Sequence, residues 1–104
     1  MIDYKFNTYR VSGEKAQELS RTAYQLMRSG NAMVSGQLLG EILYSSRVEG
    51  KSHKEIKQRF PYLSQMIIKG LLRGTYAPDT FSLFCYMEEH EPEMLDRLFK
   101  GGER

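Results

Sequence analysis

Four cations are the residues of this sequence best placed to do chemistry. Lys54 and Lys57 lie in the stretch 52–60, and Lys69 and Arg73 in the stretch 64–74. Lysine and arginine spaced along two short helical segments neutralise phosphate, which gives affinity without reading sequence. Between and beside them stand the polar or exposed candidates Ser52, His53, Tyr62, Ser64, Gln65 and Met66. Catalytic chemistry finds little here. The two histidines, His53 and His90, fall in a basic and an acidic stretch respectively, and there is no phosphate-cradling glycine loop or nucleophile elbow. The run Glu88-Glu89-His90-Glu91-Pro92-Glu93 lacks an established metal-ligand spacing and reads as a solvated surface. The expectation is therefore no enzyme, no metal and no cofactor.

Charge is distributed unevenly around these candidates. The whole chain of 104 residues carries a formal charge of only +2, too mild to prove a polyanionic partner. Residues 47–76, however, hold Arg47, Lys51, Lys54, Lys57, Arg59, Lys69 and Arg73 against Glu49 and Glu55, a net of +5. Residues 77–104 net −4, so an acidic tail follows a basic centre and should lie away from any bound phosphate. With 40% hydrophobic residues the length suits one compact domain, 1–104. The lone Cys85, inside the apolar run 81–87, cannot form an internal disulfide and is expected to pack as a small core residue. No apolar run approaches the roughly 18 residues that a membrane span needs. Met1 leads straight into Ile2-Asp3-Tyr4-Lys5 with no leader-like segment, so a cytoplasmic location is expected.

The elements that must position the candidates are read as helices. Ile2, Tyr4 and Phe6 alternate with polar residues, which gives residues 1–11 as either a strand or a loose arm. A strand there would need a partner segment or a second copy of the chain. Residues 12–50 hold the N-terminal helices: one capped by Ser12 and running to about Arg28 with Gly30 as its stop, and one carrying Val34, Leu38, Leu39, Ile42 and Leu43 up to Gly50. Gly36 and Gly40 weaken the second helix or else permit close packing. Residues 52–76 then give two short helices. Ser52 with Glu55 forms a capping box, and Pro61 ends the first helix. Ser64 caps the second, Ile67, Ile68, Leu71 and Leu72 make its apolar face, and Gly74 stops it. Residues 78–100 supply two C-terminal helices, opened by Pro78 and Pro92. The fold class expected is all-α: a compact helical domain with a central helix-turn-helix and a possible N-terminal strand or arm.

Leu39-Gly40-Glu41-Ile42-Leu43, Arg47, Gly50, Ser52, Glu55-Ile56, Ile68, Leu71, Gly74 and Pro78 together resemble the helix-turn-helix pattern of the phage-repressor (Cro/C1-type) regulators over residues 39–99. The turn Phe60-Pro61-Tyr62-Leu63 is one residue longer than that family's, and Pro61 replaces its usual small residue. The segment Ser52-His53-Lys54-Glu55-Ile56 with Arg59-Phe60 is also similar to the small regulators of bacterial adhesin operons. By the repressor resemblance, Gln65 falls where a base-contacting glutamine is common and His53 where a phosphate contact occurs. A glutamine amide can donate to and accept from adenine at once. Tyr62 and Tyr76 are candidates for backbone contacts or for packing.

The expected function is a sequence-specific regulator that reads double-stranded DNA as a homodimer, because one short helix makes too few base contacts and two half-sites double them. The competing expectation is a helical interaction module, antitoxin-like or a phage-encoded adaptor, whose partner is a protein. The same basic stretch also fits a solvated face of an ordinary bundle.

Overall fold

The computed structural model describes residues 19–100, and these form an all-α fold. The elements in chain order are α1 (Arg21–Arg28), α2 (Gly36–Leu43), α3 (His53–Arg59), α4 (Gln65–Arg73), α5 (Pro78–His90) and α6 (Pro92–Phe99), with a π-helical segment, Tyr44–Val48, continuing α2. Among the described residues there is no strand, only an isolated antiparallel bridge between Gly30 and Ser35. The strand or arm expected over 1–11 lies outside the described residues, as does the Ser12 cap.

The first helix differs from the expected one. It does not run through from Ser12, because Ser20 is extended (φ −71°, ψ 165°) and caps α1 by accepting from the Ala23 amide at 3.1 Å. The Ser20 hydroxyl also donates to Glu91 at 2.6 Å, so the cap is tied to the junction between α5 and α6. The second helix likewise starts two residues later than Val34. Ser35 caps it, while Val34 remains buried ahead of it in the connecting loop.

One core joins all six helices. Ala23, Leu26 and Met27 of α1 meet Leu39, Ile42 and Leu43 of α2, Ile56 of α3, Ile68 and Leu71 of α4, Phe84 and Met87 of α5, and Leu95 and Phe99 of α6. These positions recur at three- and four-residue spacing, which is why each helix turns one stripe inward. The two glycines of α2 are sites of close approach. A methyl group at Gly36 would strike the backbone carbonyls of Leu26 and Met27, and one at Gly40 would overlap the ring of Phe99. That ring lies 5.8 Å from Tyr44 and 6.3 Å from Phe84, centroid to centroid. The Tyr44 hydroxyl donates to Asp96 at 2.7 Å, and burial, with the Asp96 carboxylate beside it, pushes the phenol up to about 12. Cys85 does not join the core as expected. It is half-buried, because α5 turns Phe84 and Met87 inward and leaves position 85 on its flank.

Gly40→Ala should therefore lower stability by about 1–3 kcal/mol, the usual cost of overpacking a tight contact. Urea unfolding measures it, and combining it with Phe99→Leu should cost less than the two single changes added together.

Candidate functional site

The candidate residues sit on α3, the turn that follows, and α4. At the start of α3 the Ser52 hydroxyl accepts from the Glu55 amide (3.2 Å), and the Glu55 carboxylate accepts from the Ser52 amide (2.8 Å). The capping box is thus complete. The Ser52 amide hydrogen bond holds the Glu55 carboxyl below its usual range. A depressed folded pKa means that this contribution is fully present above about pH 4.3, the ordinary glutamate value, and is lost as pH falls through the lower folded value.

The turn is fixed from both sides. Phe60 and Leu63 are buried and insert into the core, while Pro61 and Tyr62 between them face solvent. The Leu63 amide donates to the Phe60 carbonyl at 3.1 Å, which closes the bend around Pro61. From α3 the Lys57 ammonium donates to the carbonyls of Pro61 (2.8 Å) and Leu63 (2.9 Å). The residue expected to neutralise phosphate is therefore the clamp of the turn. The bend is held by this arrangement, since two of its carbonyls have a charged donor.

Ser64 opens α4 by accepting from the Ile67 amide at 3.1 Å, and Gly74 closes it in the left-handed conformation (φ 86°). Ile68 and Leu71 are buried, Leu72 packs partly on the core, and Gln65, Met66, Lys69 and Arg73 are exposed. Helix α4 leans on α2 and α5, whereas α3 leans on the π-helical segment. The space between α3 and α4 is consequently open, a cleft of about 600 Å³. One wall carries His53, Lys54, Lys57 and Gln58, the other Gln65, Lys69, Leu72 and Arg73. No carboxylate lines it. Gln58 escaped the sequence reading, although it lies four residues from Lys54 and thus on the same helical face.

Elsewhere the basic stretch is neutralised locally. Arg47 pairs with Glu88 at 2.7 Å and lies over the Phe81 ring. Arg59 donates to the buried Ser45 hydroxyl at 3.1 Å, approaches Glu49 at 3.9 Å and covers the Phe60 ring. Lys51, Lys54, Lys69 and Arg73 make no ion pair with a described residue; the last three line the cleft, whereas Lys51 borders a separate hollow beside Glu55. Tyr62 is 69% exposed at the turn. Tyr76 is a packing residue: it lies against the core, and its hydroxyl accepts from Asn31 at 3.1 Å. Among the described residues no group of three or more histidine, cysteine, aspartate or glutamate side chains could hold a metal ion, and no helix is long and apolar enough to cross a membrane. No family model, curated protein or solved structure matches this chain.

Lys57→Met should destabilise the protein by about 1–2 kcal/mol through the two lost charged hydrogen bonds. Lys54→Met should change stability by less than about 0.5 kcal/mol. Equal urea midpoints for the two variants would remove the clamp assignment. Acidification below the carboxylate range should fray α3 first, visible as faster amide exchange at Glu55 and Ile56 than in α5, and Glu55→Ala should show that fraying already at neutral pH.

Proposed function

We propose that this chain is a sequence-specific DNA-binding regulator of transcription, which presents α3, the turn and α4 to the major groove and acts as a homodimer on a two-fold related site. The observation that carries this reading is the carboxylate-free cleft. Lys54 from one helix, and Lys69 and Arg73 from the next, converge there with His53 and two glutamines. Glu88 and Glu49 offset Arg47 and Arg59, and of the cations without an acid partner Lys54, Lys69 and Arg73 share the cleft, which supports a binding face there.

In this reading the cations that reach phosphate are Lys54, Lys69 and Arg73, and they set affinity. Gln65 and Gln58 are the groups able to donate and accept at a base edge. Ser52 and Ser64 act within the chain as helix caps, and Lys57 fixes the angle at which α4 is offered. The likeness of residues 39–99 to the Cro/C1-type regulators supports the same assignment, and the chain is then a regulator and not an enzyme. Homodimerisation follows from the small reading surface, because one nine-residue helix reaches only a few base pairs.

A second reading draws on the concavity of the cleft. A groove of this size with cations on both walls also fits an acidic segment of a protein partner. Selection of binders from a random duplex library, run beside a pull-down, separates the two.

Binding to a selected duplex should weaken steeply with salt, and Lys54→Ala, Lys69→Ala and Arg73→Ala should each reduce the slope of log K against log salt by about 1. Arg47→Ala should leave that slope unchanged. If no duplex is bound, and the pull-down yields a partner whose capture requires Lys54 and Lys69, the protein-partner reading replaces this one.

A further inference from the structure

Two exposed apolar side chains stand at the leading end of α4, Met66 at 76% and Tyr62 at 69% exposure. Helical phase separates Met66 from its neighbour Gln65 by roughly 100°. Gln65 turns toward α3 and lines the cleft, whereas Met66 does not. With Ile68 and Leu71 buried on the opposite side, Met66, Lys69 and Arg73 at i, i+3 and i+7 form the outermost ridge of α4, and all three are exposed. The tip of the ridge is thus a flexible thioether, with two cations behind it along the helix.

Each base presents hydrogen-bonding atoms along the major groove, but only thymine among the four presents a methyl group. An apolar side chain at the outermost position of a cationic helix has no hydrogen bond to offer there. Its match is that methyl. Methionine suits the task because it is unbranched and polarisable, and so adapts to a shallow apolar target. Resting on the DNA-binding reading above, we infer that Met66 is a specificity-determining residue that selects thymine by packing against its 5-methyl group. Gln65, one residue earlier and turned toward the cleft, then reads a different position of the half-site.

The test replaces thymine by deoxyuridine, position by position, in the tightest duplex recovered from a random library, which removes the methyl and keeps the pairing. At one thymine of the half-site, wild-type protein should bind about fourfold more weakly, the worth of one buried methyl group. Met66→Ala should bind the two duplexes equally, and Met66→Leu should keep the discrimination. Since Met66 is exposed, these variants leave the core intact. A recovered half-site without thymine, no effect of any deoxyuridine, or an effect that survives in Met66→Ala would overturn the inference while leaving DNA binding in place. Failure to bind any duplex would remove the DNA-binding reading itself.

Discussion

The ring of Phe99 seated on the bare backbone of Gly40 is the contact on which the arrangement of helices depends. It lets a side chain of the last helix rest directly on the backbone of the second, and Tyr44 and Phe84 close around the same ring. Helix α2 is thereby fixed, and it in turn supports α1, α4 and α5. Gly36, one helical turn earlier, repeats the device against the carbonyls that end α1. Both glycines lower intrinsic helix propensity by about 1 kcal/mol each. Close packing of the helices offsets that cost, and it is felt at the cleft because α4 rests on α2.

Polar ties connect this apolar frame to the charged surface. The π-helical segment after α2 turns Ser45 inward, where its hydroxyl accepts from Arg59 and its carbonyl from the Lys51 amide. The same segment carries Arg47 outward to Glu88 on α5. Three of the seven cations in the basic stretch therefore have structural partners: Arg47, Arg59 and Lys57. The arrangement sorts charge by position. Arg47 and Arg59 meet acids, Lys57 meets the turn carbonyls, and the other cations bordering the cleft, Lys54, Lys69 and Arg73, are left without acids among the described residues. A +5 stretch becomes a smaller, directional patch.

Much of this was legible in the chain because it is local. Ser52 with Glu55, Pro61, Ser64, Gly74, Pro78 and Pro92 act through their own backbone neighbours within four residues, and the helices begin and end where those residues require. The apolar stripes Ile68 with Leu71 and Leu39 with Ile42 and Leu43 needed only helical periodicity. What near-neighbour signals left out was tertiary contact. Helix α1 starts after Ser20, whose hydroxyl also reaches Glu91, seventy-one residues away. Cys85 sat in an apolar run, yet a helix buries only one side of such a run.

Sequence alone determined the all-α class of the described residues, the two short helices around Pro61, the glycine stop of the second and the concentration of cations between residues 47 and 76, since all of these follow from near-neighbour stereochemistry and composition. Only the tertiary structure decided which cations are free. Lys57 and Lys54 are both lysines of α3, but the Lys57 ammonium meets two turn carbonyls because the chain folds back at Pro61. Gly40 resembles a helix breaker until Phe99 arrives from fifty-nine residues further along. Whether α3 and α4 enclose a cleft or pack face to face was likewise set by what each leans on, and no periodicity along the chain encodes that.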